Sequence, residues 1–228
     1  MRPVTRTPAP QVYTKYQDAI GDLENCFGRY CSYCERSLQI GLAVEHVVAK
    51  HLDRNRERDW TNFLLACGNC NSVKGTKPTN DTDFFWPDRD NTLLALMYTT
   101  GGLVKPSAAL VGASRIKATN LIDLVGLDRH PGQPVGKRPA ERDRRYMDRE
   151  EVWALAKGKH DALARNDNED FRVAIVDLAK ASGFFSVWMS VFENDFDMRG
   201  RLVSALNGTA ADCFDGTWKC VPRPGGQL

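Results

Sequence analysis

Two cysteine pairs, Cys31-Ser-Tyr-Cys34 and Cys67-Gly-Asn-Cys70, stand with 32 residues between them. Each pair has metal-ligand spacing, and together they supply the four thiolates of one tetrahedral structural Zn2+ site. Between them lie Glu45-His46 and Trp60-Thr61-Asn62, and Asn71 follows the second pair directly. These residue types suit phosphodiester hydrolysis. The neutral imidazole of His46 can deprotonate water near pH 7. Glu45 and the amide carbonyl of Asn71 offer hard oxygens to a catalytic Mg2+ or Mn2+, which would neutralise the phosphate and the leaving oxygen. Asn62 can bond to loop backbone and so hold the loop that orients His46.

The elements must bring these residues together. Residues 13–30 carry apolar residues at helical spacing (Tyr13, Tyr16, Ile20, Leu23, Phe27), with Gly28 as the stop. Gly41 to Val48 is short and β-branched, which predicts a strand; Ala49 to Asp59 is charged and aperiodic, which predicts a loop. A second short strand is expected over Asn62–Ala66 and a short helix over Gly68–Lys74, stopped by Gly75. The zinc frame then pins both ends of a module whose own core is meagre. Farther on, a hairpin is expected from Leu93 to Tyr98 with a Gly101-Gly102 turn, and a helix from Ser114 to Leu127. His130–Pro139 reads as a linker, followed by helices near 139–164, 168–182, 184–194 and 197–207. The first dozen residues read as an extended, Pro-rich leader.

Composition narrows the class. Mean hydropathy is -0.43 and no apolar run approaches the length of a membrane span, so no membrane partner is expected. The start, Met1 to Pro10, has no apolar h-region, which points to the cytoplasm, where paired cysteines are metal ligands more often than disulfides. Net charge is only +2 and does not by itself announce nucleic acid. Lys137, Arg138, Arg142, Arg144, Arg145 and Arg149 crowd one stretch, readable as a solvated helix face or as a phosphate or partner surface. In the loop after His46, Lys50 and Arg54 could contact phosphate, although a mixed-charge solvated loop explains them equally well. Phe184 to Phe192 is strongly apolar and reads either as core or as a partner-docking helix.

At the level of the whole motif, Val44-Glu45-His46, Trp60-Thr61-Asn62 and Cys67-Gly-Asn-Cys70-Asn71-Ser-Val-Lys74 resemble an HNH endonuclease. The resemblance implies an α+β fold: a ββα-metal (HNH) core stapled by a four-cysteine zinc site, an N-terminal helix and a mainly helical C-terminal region. It divides the chain into 1–30, the zinc module 31–77, an extension 78–130, and 131–228 as a helical region for partner docking. By the resemblance His46 is the general base, Asn62 the central asparagine and Asn71 the third member of the triad. Glu45 falls at an acidic metal position and Lys74 near the phosphate. Tyr30-Cys-Ser-Tyr-Cys-Glu35, Trp86-Pro-Asp-Arg-Asp-Asn91, Leu124–Arg129 and Gly183–Phe192 resemble the nuclease subunits of Septu-type antiphage systems and some retrons. Those subunits act with an ABC- or SMC-type ATPase. The implied activity is DNA cleavage within a bacterial defence complex. The same fold cutting RNA such as tRNA, or a non-catalytic zinc-ribbon adaptor, are the alternatives.

Overall fold

A computed structural model describes residues 1–228. A single turn of 3-10 helix at Tyr16–Ala19 leads into α1 (Ile20–Phe27), which ends at Gly28 with φ 72°. β1 (Leu42–His46) and β2 (Phe63–Cys67) pair antiparallel, with Glu45 opposite Leu64 and His46 opposite Phe63. β2 is buried along its whole length and runs directly into α2 (Gly68–Lys74). The helix stops at Gly75, whose φ of 51° suits a residue without a side chain. α1 packs on both strands, and α2 packs on both strands and on α4 (Gly112–Val125).

The middle of the chain holds α3 (Thr92–Ala95) and a hairpin, β3 (Leu96–Thr99) with β4 (Leu103–Pro106). The expected strand from Leu93 is therefore split. The Asn91 side chain accepts from Leu93 N and caps a helical turn first. α5 (Arg145–Leu163), α6 (Glu169–Ser182), α7 (Phe185–Val191) and α8 (Phe196–Ala205) complete the chain. α5 begins six residues later than its pattern predicts, because Asp143 takes the Arg145 amide and guanidinium in a turn before the helix.

The apolar stretch on α7 is core. Phe185, Val187, Trp188, Met189 and Phe192 are all buried, so this helix offers no docking face. α5 and α7 pack together, α7 also lies on β3, and the buried apolar side chains, Ala49 apart, form one connected cluster. The N-terminal segment is extended, but it is knitted into this core rather than trailing from it. Arg2 donates to the carbonyls of Phe27 and Asn207, and Thr5 N donates to Gly208 O. No helix is long and apolar enough to cross a membrane.

Candidate active site and metal centre

The knuckle after the 3-10 turn and α1, and the start of α2, converge on the cysteines. The Sγ atoms of Cys31, Cys34, Cys67 and Cys70 all lie within 4.8 Å of one another, and all four residues are buried. Cys34 Sγ is 3.7 Å from Cys67 Sγ. Zinc–sulfur bonds of about 2.3 Å require tetrahedral edges of roughly 3.8 Å, so the donor set fits a structural Zn2+. Cys67 is also the N-cap of α2, accepting from Cys70 N. Hydrogen bonds from Cys31, Cys34 and Cys70 hold the Cys67 thiol far below its ordinary range. Its sulfur neighbours push Cys34 well up, and burial does the same to Cys70. Cys34 and Cys70 thus resist ionising by themselves, and a bound divalent cation would let them do so.

Arg145 is a member of this centre that sequence reasoning missed. Its Nη1 donates to Cys70 Sγ at 3.1 Å and to Val125 O at 2.8 Å, while Nε and Nη2 donate to Asp143 and Nη2 also to Gly126 O. Burial opposes its charge, and Asp143 with the Cys70 and Cys34 sulfurs more than offsets that. A zinc centre of four thiolates is formally anionic, so this guanidinium is suited to balance it. Arg149, one turn on, is also buried and donates to Gly102 O and Leu127 O. The basic stretch is therefore neither a solvated face nor a phosphate surface at these two positions. Within a run of charges, nothing in the spacing distinguishes a buried arginine from a solvated one.

A cleft of about 360 Å³ opens beside the centre, and His46, Glu45, Asn71, Lys74, Lys50 and His51 line it. His46 Nε2 is 2.9 Å from the Glu57 carbonyl oxygen. A carbonyl only accepts, so Nε2 carries the proton and Nδ1 keeps its lone pair. Burial lowers the His46 pKa, and the Lys50 and Lys74 charges add to that against the Glu57 contact. The ring is thus neutral at pH 7. Edge contacts with Tyr16 (4.8 Å between centroids) and Phe63 (5.2 Å) fix its plane.

Asn62 is wholly buried and holds the loop that carries Glu57. Its Oδ1 accepts from Val48 N at 2.8 Å, and its Nδ2 donates to Val48 O and to Arg56 O at 2.9 and 3.0 Å. Both ends of the loop are therefore tied to one amide, and the carbonyl bonded to His46 belongs to the next residue after Arg56. The N-terminal segment secures Asn62 in turn: Arg6 donates to Trp60 O and Phe63 O, and Trp60 Nε1 donates to Thr7 O.

Glu45 and Lys74 form a pair on the cleft wall, 4% and 1% exposed. Nζ lies 2.6 Å from Oε1, yet Oε1 lacks a well-directed hydrogen bond. Burial raises the Glu45 pKa, and Lys74 opposes the rise. Lys74 also donates to His46 O at 2.6 Å. Its ammonium is thus committed inside the protein, and the phosphate contact expected of it does not fit this burial. Asn71 is half-buried and lines the cleft with its side chain free of protein hydrogen bonds. Lys50 is exposed at the cleft mouth, whereas Arg54 sits on the solvent side of the loop and does not line the cleft. The Glu45 carboxylate and the unengaged Asn71 amide are the hard oxygens that a divalent cation with retained waters would use.

No curated protein matches the chain. The span from the first zinc-spaced cysteine to just past α2, residues 31–77, matches the HNH endonuclease family model, and that module is the one that carries the cysteine cluster and the cleft.

Proposed function

We propose that this chain is a metal-dependent endonuclease that hydrolyses DNA phosphodiester bonds, with the ββα-metal arrangement of its HNH module as the catalytic core. The observation that carries this reading is the single-tautomer imidazole of His46, held by Glu57 O and opening with Asn71 and Glu45 onto one cleft. His46 Nδ1 takes a proton from water, the water oxygen bonds to phosphorus, and the ester oxygen on the far side leaves and is protonated from solvent. A divalent cation, when bound by Glu45 and the Asn71 amide oxygen, supplies charge neutralisation at the phosphate and the leaving oxygen. Asn62 acts through the loop: it keeps the Glu57 carbonyl where it fixes the His46 tautomer. Lys50 attracts the phosphate at the cleft mouth, and Lys74 positions Glu45.

The flanking segments support the further reading that the chain is the nuclease subunit of a bacterial antiphage complex with an ABC- or SMC-type ATPase. Copurification with an ATPase encoded beside it tests that association. Activity is tested with plasmid and Mg2+ or Mn2+. Wild type nicks or linearises the plasmid, and His46→Ala loses about a hundredfold or more in rate, in line with removal of a general base. Equal cutting by both proteins removes His46 from that role. Labelled tRNA offered beside the plasmid distinguishes an RNA substrate.

A further inference from the structure

A second cavity, also about 360 Å³, adjoins the His46 cleft. Tyr16, Val44 and Asn71 line both, so the two share a wall. Their chemistries differ. The His46 cleft is lined by polar and ionisable groups with Lys50 at its mouth, whereas Ile20, Leu42 and Ala43 make the neighbouring groove mostly apolar, with the exposed Gln17 at its rim. Each volume falls in the range of small-molecule sites, roughly 300–1,000 Å³. A phosphate-attracting cleft fused to an apolar groove matches one ligand class: a nucleotide, with its phosphate in the first and its base in the second.

We infer that the groove along Tyr16, Leu42 and Ala43 receives an unstacked nucleobase next to the scissile phosphate. The inference rests on the nuclease reading and adds the form of its substrate. Tyr16 joins the cleft to the groove. Its ring packs edge-on against His46 at 4.8 Å, lies 4.6 Å from Lys50 Nζ, and walls the groove. A base seated against it therefore sets the adjoining phosphate beside the imidazole. In an intact duplex the faces of a base are covered by its neighbours. Only a single strand, or a nucleotide swung out of the helix, can fill the groove. The substrate is thus single-stranded or locally opened DNA, and the groove's apolar lining makes it tolerant of base identity.

The test uses full-length protein. Cleavage with Mg2+ is compared on single-stranded DNA, the matched duplex, and single strands in which one abasic position is walked past the cut. Equilibrium binding to the same oligonucleotides is measured without added divalent cation. Wild type should prefer the single strand by roughly ten- to a hundredfold and lose a similar factor when the abasic position falls at one fixed offset. Ala43→Phe, which fills the groove without replacing a residue of the His46 cleft, should weaken binding of the intact strand by that factor. It should leave binding of the abasic strand unchanged. Tyr16→Phe should keep the abasic sensitivity. If abasic positions are neutral at every offset while His46→Ala still abolishes cutting, the groove proposal falls and the nuclease reading stands. If neither DNA is cut in a His46-dependent way, both fall.

Discussion

His46 donates through Nε2 to Glu57 O, and this bond decides which nitrogen is free to act as a base. Its pH behaviour follows from its surroundings. A base works in its neutral form, which prevails above its pKa. Burial and the nearby lysines lower that pKa from the ordinary 6.5, and a bound divalent cation would lower it further. The acid limb of kcat/KM should therefore have its midpoint below pH 6.5. Lys50→Gln removes one lowering charge, so the limb should move to higher pH; a limb that stays put would show that Lys50 does not reach the imidazole electrostatically. The Glu45–Lys74 pair makes a separate prediction. Lys74→Met leaves a buried carboxylate unpaired, which should cost about 3–5 kcal/mol in chemical denaturation. Adding Glu45→Gln removes the stranded charge and should restore most of that stability without restoring cleavage. Restoration of both would mean that Glu45 holds no cation.

The β1–β2 pair and α2 were legible because their signals are local: a short β-branched stretch at Gly41–Val48, a short apolar one at Asn62–Ala66, then Gly68 to Lys74 closed by Gly75. The cysteine cluster was legible for the same reason, since paired spacing alone encodes two ligands per turn. What joins the elements was not. Arg145 lies 75 residues from Cys70, and no periodicity announces a guanidinium 3.1 Å from that sulfur. Lys74 reads as a surface cation on a short helix until the packing of α2 on β1 buries it. The apolar run of α7 allowed two readings, and only tertiary packing chooses the core. Arg145 gives the element-scale prediction. Arg145→Met should weaken zinc retention by roughly ten- to a hundredfold in competition with a chromogenic chelator. Asp143 would then be left without its buried partner, so Asp143→Asn combined with Arg145→Met isolates the contribution to the metal. Unchanged retention in the double variant would reduce Arg145 to an anchor for α5.

At the scale of the molecule the Cys31–Cys34 knuckle is bound into everything around it. Glu35, one residue after Cys34, has φ 65° and aims its carboxylate into the core. It accepts from Ser186 N at 2.7 Å, from Ser186 Oγ at 2.6 Å and from Tyr98 OH at 3.2 Å, so one side chain ties the knuckle to α7 and β3. Burial works against its charge, and the Met1 amine and Ser186 outweigh it, leaving the carboxyl below its usual range. Gly183 closes the same junction: a Cβ there would meet Glu35 O at 2.5 Å and Ser37 N at 2.6 Å, and its φ of 72° already favours glycine. Arg6 adds a third tie, from the N-terminal segment to Trp60 O before β2 and to Phe63 O at its start. With the metal centre linked this way, the module is not a separable bead. Zinc removal should lower the Tm of a single cooperative transition for the whole chain, read alike by far-UV circular dichroism and by fluorescence of its five tryptophans. Glu35→Gln keeps the shape but weakens the ties, so it should bring the transition down by several degrees and split the two probes when zinc is stripped. Two separate melts in the wild-type holoprotein would show instead that residues 31–77 stand alone and that the helical half neither supports nor senses the metal.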